Sequence, residues 1–293
     1  MKTSAIIRII AWSVIAIFLT VVLVNVINGN GMNLGALRGF NINFSGYSFE
    51  NINKYSVAED TVNVKDIKNI DIDWISGKVR IEEYDGDSIQ FYEEASSNLS
   101  EDNKMRYLAE NGTLKIKFKK PYKSIISFNN YLNKTLVIRM PSSGENSLNE
   151  FTLDVVSASI EIDALKADKV SIEAVSGDIT IKNLISDKLD VETVSGDMNV
   201  HANVDSVDFE SVSGDLVLDL ENCPRGIDAE AVSGRVDIFL PENDGFTVRY
   251  DSVSGKFKCD FEVSITKKEA VYKNGKAKFD IETVSGGINV NRK

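Results

Sequence analysis

Asp178, Asp197 and Asp215 each close a Val-Ser-Gly-Asp motif, and this recurrence is the feature of the sequence best able to do chemistry. If the motifs stack as neighbouring strands, the carboxylates form a column with about 4.8 Å between members, and each adjacent pair repels by about 1 kcal/mol in water. A carboxylate so placed has two uses. It can accept hydrogen bonds from backbone N–H groups at its own turn, as aspartate does in turns generally. Alternatively the column can collect Ca²⁺ or Mg²⁺, which take hard oxygen ligands. The second use makes Asp178, Asp197 and Asp215 the candidate metal ligands, although nothing around them matches an EF-hand or a nine-residue calcium-binding β-roll, and no dedicated metal site is expected. The later motifs end in Arg235, Lys256 and Gly287, so Arg235 and Lys256 would continue the column with opposite charge.

Other reactive side chains are sparse. The serines of the motif (Ser176, Ser195, Ser213, Ser233, Ser254, Ser285) recur as turn residues, and a serine without an adjacent base is a poor nucleophile. His201 is the single histidine, beside an acidic loop, and is assigned no role. There is no G-x-S-x-G, H-E-x-x-H or phosphate-binding loop. The carboxylates recur with the repeat instead of converging on one irregular place, so no enzyme and no cofactor is expected. Cys223 and Cys259 are too few for a disulfide framework and lack metal-like spacing; their pairing in an oxidising compartment stays open. Cys259 follows Phe257 at an inward slot of the repeat and reads as a small buried hydrophobe.

The elements that must position these residues follow from the repeat itself. Its valine falls at 175, 194, 212, 232, 253 and 284, with degenerate copies centred on Ile75 and Val156. Apolar slots recur around it: Val170, Ile172, Val175, Ile179 and Ile181 match Leu189, Val191, Val194, Met198 and Val200 in the next copy. Period-two alternation on both sides of a Ser-Gly corner, rich in β-branched residues, means two short strands per repeat. The fold class is all-β. A parallel β-solenoid of one coil per repeat fits the near-constant period, which stacks like residues into ladders. The alternative is an antiparallel β-meander with Ser-Gly as a hairpin turn.

Around this repeat domain, residues 151–293, the sequence divides further. Residues 67–150 hold strand-like runs at 88–95, 113–120 and 135–141 and read as an N-terminal β-subdomain or cap, because an open solenoid end exposes unpaired backbone. Residues 28–66, rich in Asn, Gly and Ser, read as an extracytoplasmic spacer. Residues 9–27 form a run of 19 without a charge, which as a helix of roughly 28 Å nearly spans a hydrocarbon core of about 30 Å. Lys2 and Arg8 precede it and no basic residue follows until Arg38, so residues 1–8 are expected as a cytoplasmic stub, with the C-terminal domain outside the cytoplasmic membrane. A formal charge of −11 offers no basic face to nucleic acid, which is not an expected partner.

The V-S-G-D-I-x-I motif, repeated after an N-terminal apolar segment and preceded by runs such as KIKF and VIRMP, resembles the bacterial putative-adhesin domain of unknown function found in LiaG-like membrane proteins. The resemblance runs from about Ile67 to the C-terminus and rests on Val175 to Asp178, Val194 to Asp197 and Val212 to Asp215. It implies a solenoid-like domain outside the membrane, associated in some members with envelope stress, and brings no catalytic residues. The expected function is a non-enzymatic envelope platform, touching the bilayer through residues 9–27 and an unidentified membrane or envelope protein elsewhere, with a divalent cation as a further partner. The alternative is an adhesin or carbohydrate-binding module, for which Trp74 is the candidate aromatic platform.

Overall fold

The computed structural model describes residues 51–57, 60–120, 132–142 and 147–293. The membrane segment expected over 9–27 lies outside them, and among the described residues no helix is long and apolar enough to cross a membrane.

Alternation of apolar and polar residues does here what it does in any half-buried strand: one set of side chains turns inward and the other outward. Residues 184–200 make one coil. Leu184, Leu189, Val191, Met198 and Val200 face inward and are buried, and each stands beside its counterpart in the preceding coil, for instance Val191 against Ile172 and Leu189 against Val170. Burying an aliphatic side chain of this size contributes about 1.5–3 kcal/mol, so five per coil make stacking the dominant stabilising term. The pairing between coils is parallel throughout, which identifies the solenoid and excludes the meander. Successive spacings of 19 and 18 residues are reconciled by a bulge: Lys182 and Asn183 occupy the space that His201 alone fills in the next coil.

The coils do not stack in sequence order. Residues 277–292 enter between 226–240 and 246–259, pairing in parallel with both. The other end repeats the device, because 69–84 lies between 148–162 on one side and 113–117 with 134–141 on the other. Each end is then closed by antiparallel strands, Arg106–Glu110 and Ser88–Ala95 at one and Glu269–Val271 with Ser264–Thr266 at the other. Edge protection of this kind removes open ladders onto which another chain could add. Phe246, Phe261, Tyr272 and Phe279 plug the second end with ring centroids 4.8–5.4 Å apart.

Trp74 plugs the first end. It is 1% exposed, packs edge-on to Phe118 at 4.8 Å, and has the Lys134 ammonium 5.0 Å from its ring centroid. That ammonium is itself buried, 2.6 Å from Glu93 and bonded to the Asn103 carbonyl, and desolvation lowers its pKa. Trp74 is therefore core and offers no sugar-stacking platform.

Candidate functional site

Each Ser-Gly corner turns the chain in the smallest space the stack allows, and the aspartate after it serves the turn. Oδ1 of Asp178 accepts from the Asp197 N–H at 3.0 Å, Asp197 from that of Asp215 at 2.9 Å, and Asp215 from that of Arg235 at 2.8 Å. The turn-capping use of Asp178, Asp197 and Asp215 is thus present, directed to the next coil's corner. Arg235 continues the column, with its guanidinium on Asp215; the hydrogen bond from the Arg235 backbone N–H first, and then its side chain, hold the Asp215 carboxyl below the usual range. The next corner in space is Gly287, because the final repeat intervenes: Val236 N–H donates to the Gly287 carbonyl, and Lys256 lies one coil further out. Among the described residues no group of three or more His, Cys, Asp or Glu side chains could hold a metal ion.

A second acidic column, on the long arm of each coil, is the larger feature. In register it runs Asp73, Asp154, Glu173, Glu192, Glu210, Glu230, Glu282, Asp251. Lys117 closes it at one end, 2.6 Å from Asp73, and Lys268 at the other, paired with Asp251. Both lysines come from the capping segments, so the caps neutralise the two ends of the column and leave its middle acidic. The neighbouring outward column adds Asp190, Asp208, Asp228 and Asp280. On the other flank stand the motif valines, which the register turns outward: Val175, Val194, Val212, Val232 and Val284 are half-buried, and Val253 is 56% exposed. Their expected place among the inward slots is taken by the residue before each, Ala174, Thr193, Ser211, Ala231 and Thr283, all buried.

Packing carboxylates at strand spacing has an electrostatic consequence. Desolvation, then Glu192 and Glu230, push Glu210 up to about 7; desolvation, then Glu173 and Asp73, push Asp154 up to about 7. Glu192 and Asp73 are raised as well, desolvation being the largest cause in each. A carboxyl with a folded-state pKa above its unfolded value takes up a proton on folding, so the stability it gives is complete below about pH 4 and is lost as pH rises through about 7. The melting temperature is therefore expected to rise between pH 8 and pH 5. Glu210→Gln should raise it at pH 8 and flatten the profile. A melting temperature that falls steadily from pH 8 to pH 5 would refute this account of the column.

His201 lies on another arm, its Nδ1 2.9 Å from Asp219 and its Nε2 3.0 Å from Glu221. The two carboxylates sit on opposite sides of the ring and cannot converge on one ion. The motif serines 176, 195, 213, 233 and 285 form an exposed column, and the histidine's bonds go to Asp219 and Glu221, not to any of them. Cys223 and Cys259 are free thiols, both half-buried rather than fully enclosed. Burial pushes Cys223 up to about 11.

The second column was legible in the sequence. An acidic residue stands two positions before the valine in every copy, as in Glu173-Ala-Val175, Glu192-Thr-Val194 and Glu210-Ser-Val212. The Val-Ser-Gly-Asp motif drew attention to the residue after the corner and away from the one before it.

The family described as Toastrack DUF4097 matches residues 67–291. No curated protein matches the sequence. Among solved structures, a "putative cell adhesion protein" from Clostridium sporogenes is 14% identical, with 82% of this chain and 100% of that one covered and a TM-score of 0.37. A "putative adhesin" from Bacteroides fragilis is 17% identical over 80% and 97% of the two chains, with a TM-score of 0.45. A "putative lipid binding protein" from Parabacteroides distasonis is 16% identical over 81% and 96%, with a TM-score of 0.41.

Proposed function

Because this chain belongs to the Toastrack DUF4097 family, we propose that it is a non-enzymatic β-solenoid platform of the bacterial cell envelope, anchored by residues 9–27 with its repeat domain outside the cytoplasmic membrane. It acts by binding a membrane or envelope protein, in a regulatory role under envelope stress. The observation that carries this reading is the acidic column from Asp73 to Asp251, a continuous face running through eight strands in register. Extended repeat surfaces suit the recognition of other macromolecules. A periodic face also lacks the irregular convergence of acid, base and nucleophile that chemistry requires. The adhesin reading has no specific observation in its favour, since the aromatic side chain that would have supplied a sugar platform is core.

The test is photo-crosslinking in intact cells, with a photoreactive residue at the exposed Glu192 and a control at the exposed Asn199 on the other arm. A membrane protein captured from position 192 and not from 199 is the expected result. Envelope glycan captured at either position would transfer the reading to an adhesin. No capture from 192 above that from 199 would remove the acidic face as the contact surface.

A further inference from the structure

The two ends of the solenoid are not closed alike. At the first, both arms of 69–84 are covered, one by 113–117 and 106–110, the other by 134–141 and 88–95. At the second, the hairpin 264–271 covers the long arm of the outer coil alone, pairing with Thr247, Val248 and Arg249. The short arm, Phe257–Cys259, has the final repeat as its one pairing partner among the described residues. The Lys256 carbonyl accepts from Ile288 and the Asp260 N–H donates to Val290. Backbone groups alternate in direction along a strand, so those of Phe257 and Cys259 point outward as an open edge.

Core side chains are uncovered at the same place. Tyr250 and Phe257 stack with ring centroids 4.0 Å apart, yet both are only half-buried, as is Cys259. Their register partners in the final repeat, Ile281, Ile288 and Val290, are fully buried. Val253 and Ile265, two of the three exposed large hydrophobic side chains among the described residues, belong to this end as well.

The charge of this end is opposite to that of the body. Residues 148–240 carry 20 Asp and Glu against 6 Lys and Arg, whereas 246–278 carry 4 against 8. Lys256 and Lys258, on either side of Phe257, are exposed and make no ion pair among the described residues. Neither has an acidic neighbour in the ladder, since Lys256 follows Gly287 in the corner column and Lys258 stands beside Asn289. Arg235 shows what a cation at the corner does when a carboxylate adjoins it: its guanidinium binds Asp215 of the neighbouring coil. For Lys256 and Lys258 the open side is the outer one.

We propose that the Phe257–Cys259 edge receives an extended acidic segment of a partner protein, which joins the sheet as one further strand. Its backbone completes the ladder, its apolar side chains cover the Tyr250–Phe257 stack and Cys259, and its acidic side chains stand beside Lys256 and Lys258 as Asp215 stands beside Arg235. A second copy of the same edge does not suit, because antiparallel pairing of the two would gather four lysines on one face, and like charges opposite each other are destabilising. This edge lies apart from the acidic column and has the opposite charge, so it goes beyond the platform reading and does not depend on it.

The experiment uses the full chain in phosphatidylcholine nanodiscs and, as the probe, a fluorescein-labelled peptide of sequence DLVLDLE, copied from residues 215–221, read by anisotropy. The parent chain should bind it saturably. Lys256→Glu with Lys258→Glu should weaken binding about tenfold more than Lys65→Glu with Lys68→Glu in the N-terminal cap, the size of two exposed ion pairs. All four lysines are exposed, so neither pair of changes should unfold the chain. A fully N-methylated probe keeps its charges but cannot join a ladder, and it should not bind. No binding of DLVLDLE to the parent, equal weakening by the two pairs, or equal binding of the methylated probe would each overturn the proposal. So would a bismaleimide crosslink between two chains that is lost in Cys259→Ser, which would give the edge to a second copy. None of these results bears on capture from position 192, which tests the acidic face separately.

Discussion

Gly196→Ala is expected to destabilise the solenoid by about 3 kcal/mol or more, the range reached when backbone strain and a rigid clash coincide. Gly196 has φ +135°, and a Cβ built on it would lie 2.2 Å from the Gly177 carbonyl oxygen and 2.7 Å from its carbonyl carbon. Neither atom belongs to a side chain that could swing aside. Both are backbone of the preceding corner, which is itself stacked on Ala158. Relief requires the two coils to separate, and that would break the Gly177 N–H bond to the Ser195 carbonyl and the Asp197 N–H bond to Asp178. The matched control is Gly226→Ala, where the conformation is ordinary and the nearest atom is 3.5 Å away. That change should be neutral or stabilise by up to about 1 kcal/mol through the unfolded state. Urea denaturation of the two variants decides the matter. If they shift the midpoint alike, the corner glycines serve no steric purpose and the account of the turn is wrong. One member of the corner column is alanine, Ala158, and it stands where the backbone does not enter the left-handed region.

Much of this architecture was readable because a solenoid writes each layer of its core in the same local pattern. The slots that match between Val170–Ile181 and Leu189–Val200 are the residues that stack, and the Ser-Gly corner is visible because a Cβ there would strike the backbone of the neighbouring corner. The outward turn of the motif valines was harder to see. Val175 lies three residues from Ile172, and strict alternation would have placed Ala174 inward; alanine, threonine and serine at that slot give too little hydrophobic contrast to reveal it. The acidic column was missed for a related reason. Glu192 and Glu210 look like ordinary solvated strand residues one repeat at a time, and only the in-register pairing makes them one electrostatic unit. The swapped order of the last two coils had no signature at all. Phe246, Val248, Tyr250 and Ala277, Phe279, Ile281 satisfy the same slots, so slot chemistry alone cannot say which stands next to Ile227 and Ala229.

That swap makes the final repeat far more important than its position in the sequence suggests, and removal of residues 277–293 should abolish cooperative unfolding of the C-terminal half. In a solenoid stacked in sequence order, the last coil is an end coil and its loss trims one interface. Here Phe279, Ile281, Ile288 and Val290, all buried, sit between two coils, and deleting them opens both interfaces. At about 1.5–3 kcal/mol per buried side chain the loss is roughly 6–12 kcal/mol, comparable to the whole stability of an ordinary domain of about 5–15 kcal/mol. Residues 246–272 would then have no inner neighbour, although they were synthesised before the segment that supports them. The comparison is an internal deletion of 243–274, which removes the outer coil and its hairpin but leaves 277–292 stacked on 226–240. Limited proteolysis and urea melts should rank this deletion as the milder of the two, despite its greater length. Should the truncated chain instead melt as cooperatively as the parent, 246–259 must have moved inward to pair with 226–240. The two repeats would then be interchangeable in that slot, and the inserted final repeat would contribute no more than any end coil.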